Sequence, residues 1–201
     1  FGGDGNDSIS TGDGNNLVNG NAGSDMILGG SGADTLLGGQ DNDTMSAGTG
    51  NNYLHGNLGN DSLTASTGAD TLLGGQGNDT LNAGDGNNYL TGDLGDDSLL
   101  GGTGADTLFG VSGNDTISDT GGANLIDAGD GNDSVISGSG ADSLGAGSGD
   151  DTVSAGGGAD TITGGDGNDF IDAGSGENTV TGDTGDDTLI GGAGADTMSA
   201  G

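Results

Sequence analysis

The stretch Gly74-Gly75-Gln76-Gly77-Asn78-Asp79-Thr80-Leu81-Asn82 is one copy of a nine-residue pattern that repeats along the whole chain. Twenty-two such units run from Gly2 to Ser199 without insertion or deletion, and nearly all read Gly-Gly-x-Gly-x-Asp/Asn-x-apolar-x. A fixed short period is typical of a solenoid, in which each repeat packs on its neighbours. The positions of a unit are numbered 1 to 9 below, with Gly74 at position 1 and Asn82 at position 9.

Positions 4 and 8 vary least along the chain. Position 4 is Gly in every unit except the fifth, where Asp41 replaces it, and position 8 is apolar in all twenty-two units. A recurrent Gly indicates a backbone with positive φ or a close approach to another group. An apolar residue flanked by two outward residues indicates a short strand with one buried face, so each unit is predicted to be a turn and a strand of about three residues.

Position 6 divides the units into two classes. All odd units carry Asp there, namely Asp7, Asp25, Asp43, Asp61, Asp79, Asp97, Asp115, Asp133, Asp151, Asp169 and Asp187. The even units carry either residue, namely Asn16, Asp34, Asn52, Asp70, Asn88, Asp106, Asn124, Asp142, Asp160, Asn178 and Asp196. This difference predicts a structural repeat of two units, or 18 residues, with a distinct environment on each side.

The composition does not explain how such a chain stays compact. It has 32 acidic residues, no Lys or Arg, a formal net charge of -32, 52 Gly and only 28% hydrophobic residues. Charge repulsion and glycine entropy oppose folding, and little apolar area offsets them, which is a balance typical of disordered chains. We therefore expect a positively charged partner from outside the chain.

A hard divalent cation fits this requirement better than a basic protein, which would not need Asp at one fixed step of a Gly-rich turn. Calcium takes about six to eight oxygen ligands, commonly carboxylates and backbone carbonyls, and a Gly-rich loop can turn its carbonyls inward. Magnesium prefers a tighter octahedron with retained waters, and zinc prefers His or Cys. The chain has one His and no Cys, so its composition favours calcium.

These residues and their spacing resemble the RTX family, the calcium-binding nonapeptide repeats of secreted bacterial proteins. The resemblance covers Gly2 to Ser199. It implies an all-β fold, a right-handed parallel β-roll (a β-solenoid), with two nonapeptides per turn and about 11 turns. It also implies calcium ions between each Gly-rich loop and the equivalent loop one turn later, with the position-6 side chain and loop carbonyls as ligands.

The resemblance implies metal ligands on both sides of the roll. On the odd side all eleven Asp residues are expected ligands, and Asp7 and Asp25 flank the first of ten inter-loop sites. On the even side the expected ligands are Asp34, Asp70, Asp106, Asp142, Asp160, Asp196, Asn16, Asn52, Asn88 and Asn178. Together these predict up to about 20 calcium ions, held less tightly on the even side because Asn offers a neutral oxygen.

Three loops depart from the pattern, and the prediction of a site is weaker there. Asp41 replaces the Gly of position 4, Val111 takes a Gly position, and the segment from Asp119 to Asn124 lacks both the leading Gly pair and the position-6 Asp.

The predicted shape is a rod roughly 50 Å long, because neighbouring strands lie about 4.8 Å apart. Its core is predicted to be one ladder of position-8 residues per sheet. Such a core is too small to hold the fold alone, so calcium is expected to convert a coil into a roll.

Positions 7 and 9 are predicted to point outward. Position 7 of the odd units is a ladder of Ser and Thr that Met26 and Phe170 interrupt. Ser and Thr suit any solvated strand, and a regular hydroxyl array also suits an ice-binding or polysaccharide-binding face. Large apolar residues at position 9, such as Leu28 and Ile190, count against a clean array and favour lateral packing against another chain.

The sequence predicts a structural protein and not an enzyme, because His55 is the only His and no Ser or Thr has a base partner. We expect a calcium-rigidified rod of an extracellular adhesin, surface layer or filament. The alternatives are an ice- or polysaccharide-binding face, or the folding and secretion module of an RTX toxin or enzyme with its effector domain elsewhere. The expected partners are calcium ions and copies of the chain. The negative charge disfavours nucleic acid, and no apolar run is long enough for membrane insertion.

The family resemblance implies a bacterial protein that is extracellular or at the cell surface, exported by type I secretion. Residues 1–201 are expected to form a single continuous array of 22 nonapeptides. Phe1 and Ala200-Gly201 belong to incomplete units, so we expect an excerpt of a longer array or a filament protomer.

Overall fold

The computed structural model describes residues 1–201 and contains strands without any helix. In chain order the strands are β1 (Gly3–Asp4), β2 (Ser8–Ser10), β3 (Leu17–Ala22), β4 (Met26–Ser31), β5 (Thr35–Gln40), β6 (Thr44–Thr49), β7 (Tyr53–Leu58), β8 (Ser62–Thr67), β9 (Thr71–Gln76), β10 (Thr80–Asp85), β11 (Tyr89–Leu94), β12 (Ser98–Thr103), β13 (Thr107–Ser112), β14 (Thr116–Ser118), β15 (Leu125–Asp130), β16 (Ser134–Ile136), β17 (Ser143–Ser148), β18 (Thr152–Ser154), β19 (Thr161–Asp166), β20 (Phe170–Asp172), β21 (Thr179–Thr184), β22 (Thr188–Ile190) and β23 (Thr197–Ser199).

Successive strands alternate between two parallel sheets. The odd-numbered strands form a 12-stranded sheet and the even-numbered strands an 11-stranded sheet, each in chain order. Paired residues are 18 apart, so that Leu81 pairs with Leu99 and Leu99 with Ile117. A local register shift occurs between β6 and β8, where Gly48 pairs with Ala65. The parallel β-roll of about 11 turns that the sequence predicted is confirmed.

Most strands are longer than the sequence predicted. They span six residues, as in β5, because positions 1 to 3 of the next unit continue the strand that positions 7 to 9 begin. Glycine usually disfavours strands, but here its missing Cβ lets successive backbones approach closely. A Cβ on Gly102 would collide with the carbonyl oxygen of Gly84, its partner in β10. From β14 onward the 11-stranded sheet does keep strands of three residues.

The core lies between the sheets and has two ladders per sheet, whereas the sequence predicted one. Position 8 supplies the first, and Leu81 and Leu90 are no more than 1% exposed. Position 1 supplies the second with Ala or Gly, and Ala83 and Ala128 are fully buried. Such small residues do not stand out as apolar in the sequence. They also leave space beside the position-6 side chains that enter the same interior.

Two of the three irregular loops keep the backbone path of their neighbours. Asp41 adopts a φ of 71° and Val111 a φ of 85°, the left-handed conformation for which glycine is normally used. Asp tolerates this region, whereas a β-branched side chain is strained there. The replacement of Gly at these positions therefore leaves the turns in place.

Candidate metal sites

The position-6 side chains stand in two rows, one along each edge of the roll. An odd-unit Asp ends each loop from the 12-stranded to the 11-stranded sheet, as Asp79 does between β9 and β10. An even-unit residue ends each return loop, as Asn88 does between β10 and β11. All the predicted ligands lie in these rows. They are buried except near the two ends, where four are partly exposed, namely Asp7, Asn16, Asp187 and Asp196.

Each position-6 side chain links two successive turns. The backbone N–H of Asp61 donates to Oδ1 of Asp79 at 2.7 Å, and that of Asp79 donates to Oδ1 of Asp97 at 2.7 Å. The even row has the same arrangement, with the N–H of Asp34 donating to Oδ1 of Asn52 at 3.0 Å. Consecutive predicted ligands are therefore brought together in register, and Asp and Asn use Oδ1 in the same way.

The second carboxylate oxygen has no hydrogen-bond donor. Oδ2 is buried and unpartnered in every Asp of the odd row, from Asp7 to Asp187. In the interior this oxygen faces other oxygens. A Cβ on Gly74 would lie within 2.7 Å of both Asp79 Oδ2 and the carbonyl oxygen of Gly92. Burying a carboxylate oxygen without a donor or a cation costs several kcal/mol. The odd row buries one such oxygen in every turn.

The Asn side chains show what surrounds this second atom. With Oδ1 in the same hydrogen bond, Nδ2 of Asn52 donates to the carbonyl oxygens of Gly50 at 2.9 Å and Gly48 at 3.5 Å. Nδ2 of Asn88 reaches the equivalent carbonyl oxygen of Gly86 at 3.2 Å. An amide N–H among these carbonyls is satisfied, whereas a carboxylate oxygen in the same place is not. The Asp loops therefore require a positively charged group between the carboxylate and the carbonyls. In the Asn loops, the amide N–H of Asn52 or Asn88 takes that place.

The chemistry of these loops fits a hard cation. A carboxylate oxygen next to several backbone carbonyl oxygens is the kind of donor set that calcium uses. No group of three or more His, Cys, Asp or Glu side chains comes together, so most ligands have to be backbone oxygens, which does not suit zinc. The amides of Asn16, Asn52 and Asn88 already satisfy loop carbonyls, while Nδ2 of Asn178 is buried without a partner.

Burial also changes the proton affinity of the rows. It raises the pKa of Asp79 and Asp97 to about 7, and that of Asp43, Asp115 and Asp151 to about 6. The hydrogen bond from the backbone of the preceding turn opposes the shift, and the charges of neighbouring Asp residues add to it. In the absence of a cation, Asp79 and Asp97 therefore bind protons up to near neutral pH.

A second ladder at position 5, which the sequence analysis did not single out, lines the odd edge. The N–H of Asn78 donates to Oδ1 of Asn60 at 2.9 Å, and that of Asp96 donates to Oδ1 of Asn78 at 3.1 Å. These exposed side chains accept from the following turn, whereas position 6 accepts from the preceding one. The recurrence of Asn or Asp at position 5 of the odd units was the signal for this ladder.

A comparison with family models matches the whole chain. The RTX calcium-binding nonapeptide repeat (4 copies) matches residues 1–36, 37–72, 73–108, 109–144, 145–180 and 172–201. The chain therefore belongs to the RTX calcium-binding nonapeptide repeat family, and its roll is a structural calcium-binding fold and not a catalytic one. A search of the curated proteins finds no match. The structure contains no helix that could cross a membrane.

Proposed function

We propose that this calcium-binding roll is a rod that calcium stiffens, within a secreted bacterial protein such as an extracellular adhesin, surface layer or filament. The supporting observation is the continuous row of buried carboxylate oxygens without donors, along the edge of a roll with a thin core. Cations in this row would neutralise repulsion and join each turn to the next. The stiffness of the rod would then depend on calcium.

The proposed ligands are the position-6 side chains together with loop carbonyls. The odd row would bind most tightly, because each of its inter-loop sites has a carboxylate from both turns. The even row would bind less tightly, because Asn52 and Asn88 give an amide donor to carbonyls that a cation would otherwise use. Full occupancy of both rows would be up to about 20 ions.

Exposed apolar side chains support lateral packing between copies of the chain. Position 7 of the 12-stranded sheet has Leu17, Tyr53, Tyr89 and Leu125 on every second turn, each between 38% and 65% exposed. On the intervening turns the same position is Thr or Ser, and Thr71 lies between Tyr53 and Tyr89. A regular apolar row of this kind indicates a contact surface.

Assembly can be tested by electron microscopy and sedimentation, with calcium and after its removal by a chelator. We expect ordered rods or fibres with calcium only. Replacing both Tyr53 and Tyr89 by Ser should abolish lateral assembly and leave the calcium-dependent fold intact, whereas the control Thr71→Ser should assemble normally. If no ordered assembly forms with calcium, a filament is ruled out, and the remaining roles are an isolated spacer or a folding and secretion module.

A polysaccharide-binding face is the second candidate. A groove of about 790 Å³ crosses the outer side of the 12-stranded sheet, lined among others by Leu37, His55, Leu58, Asp93 and Leu94. A groove with a few Leu side chains among many polar groups suits a neutral sugar chain better than ice, which needs a flat regular array. Binding of neutral glycans by the calcium-loaded chain would support this candidate, and thermal hysteresis would instead support ice binding.

A further inference from the structure

The loop from Asp119 to Asn124 places an additional carboxylate in the interior of the roll. Asp119 stands at position 1, where every other unit has Gly, Ala, Ser or Thr. It follows β14, and its side chain is 2% exposed. A charged group in the small-residue ladder requires a physical explanation, because an unpaired buried charge is strongly unfavourable.

The side chain of Asp119 is fixed through one oxygen and lacks a partner at the other. Its Oδ1 accepts from the backbone N–H of Gly121 at 2.8 Å and from Nδ2 of Asn124 at 3.0 Å. Its Oδ2 is buried without a donor. Asn124 therefore uses its amide to hold Asp119, whereas Asn52 and Asn88 use theirs on loop carbonyls.

The free oxygen of Asp119 points to the carboxylate of Asp106, one turn earlier. Asp106 is 1% exposed, and its Oδ2 is also buried without a donor. Both Oδ2 atoms lie within 2.9 Å of the place that a Cβ on residue 101 would occupy, and Gly101 leaves that place open. Two unpartnered carboxylate oxygens thus meet in one small space, which only a proton or a cation can stabilise.

The even row explains why a cation is the better occupant. From Asn16 to Asn124, Asn and Asp alternate, so any two successive even loops contribute a single position-6 carboxylate. Asp119 adds a second carboxylate between the loops of Asp106 and Asn124, and so restores the number found between loops of the odd row. We propose that Asp106 and Asp119 together hold a calcium ion, at a site whose second carboxylate comes from position 1.

This inference rests on the calcium binding of the roll and adds one specific site to it. It also changes the expectation for the loop from Asp119 to Asn124, at which the sequence offered less support for a site. The irregular loop would carry one of the stronger sites of the even row, because it has two carboxylates where the neighbouring sites have one.

Native mass spectrometry counts bound ions one at a time, and it can test the proposal at a limiting calcium concentration, at which even-row sites with a single carboxylate are empty. Asp119→Asn retains the Oδ1 acceptor and directs an amide N–H to Asp106, so we expect one calcium ion fewer than in the wild type. Asp119→Gly, which places the commonest position-1 residue there, should lose the same ion. The matched control is Asp127→Asn, which removes an exposed charge from the same unit and should leave the count unchanged.

Hydrogen–deuterium exchange locates the effect. Calcium-dependent protection of residues 101–124 should decrease in Asp119→Asn and not in Asp127→Asn. An unchanged ion count in a folded Asp119→Asn would overturn the proposal and show that the two carboxyls share a proton. A wild-type chain that binds no calcium at all would instead refute the proposed function, and the two failures are thus distinct.

Discussion

A single atom distinguishes the two kinds of position-6 residue. Asp and Asn accept the same backbone hydrogen bond through Oδ1, and they differ in whether an oxygen or an NH2 group faces the loop carbonyls. The position of these residues and their ligand chemistry were predictable from the repeat alone. The hydrogen bonds from Asn Nδ2 to the carbonyls of its own loop were not predictable, because the direction of Nδ2 depends on the fold of that loop.

Asn88→Asp should make its loop more dependent on calcium. In mildly acidic solution, where the metal-free roll is expected to keep β-structure, we expect it to lose about 1–3 kcal/mol of stability without calcium, because a buried donor is replaced by an unpartnered oxygen. With calcium the new carboxylate lies between those of Asp70 and Asp106, so the affinity of the even row should rise. Isothermal titration and chemical unfolding would measure both effects.

The control for this substitution is Asn87→Asp, which adds the same charge one residue earlier on the exposed surface. It should change calcium affinity far less. Equal effects of the two substitutions would show that net charge matters and the position of the side chain does not.

The strands show where sequence reasoning was complete and where it was not. The 18-residue turn and the buried position 8 followed from the odd–even difference and the apolar periodicity. The six-residue strands and the position-1 ladder did not, because Gly and Ala are typical of turns as well as of tight packing. In β12, a Cβ on Gly102 would collide with the carbonyl oxygen of Gly84 in the preceding turn, which is a property of the stacked turns and not of one unit.

Leu81→Ala in β10 should destabilise the calcium-loaded roll by about 2–5 kcal/mol, since it leaves a cavity in the thin core. Leu81 is 1% exposed, while Leu94 at the end of β11 is 52% exposed. Leu94→Ala is therefore the matched control and should cost far less. Thermal unfolding in saturating calcium would compare them, and similar losses would contradict the assignment of position 8 as the core.

The whole molecule is governed by its charge. With a formal net charge of -32 and no Lys or Arg, the chain has almost no basic side chain to neutralise its carboxylates. Protons and cations therefore compete for the same two rows. We expect calcium to be the stabilising partner at neutral pH and protons to take that role in acid.

The metal-free chain should consequently be most stable in acid. Burial raises the pKa of Asp79 and Asp97 from 3.8 to about 7, so the folded state holds protons that the unfolded state releases. This contribution to stability is fully present below pH 3.8 and is lost as the pH rises towards 7. Circular dichroism of metal-stripped protein should show β-structure near pH 4 that declines by pH 7, with light scattering as a control for aggregation. Greater structure at pH 8 than at pH 4 would contradict this prediction.

Whether calcium holds the roll together is tested most directly by a calcium titration at neutral pH, followed by far-UV circular dichroism. Because the core is thin and the carboxylate rows repel, we expect a disordered spectrum in chelator. We also expect a cooperative change to β-structure as calcium is added, reversed when the chelator is restored. A chain that shows its full β-spectrum in chelator at neutral pH would contradict the claim that calcium holds the roll together.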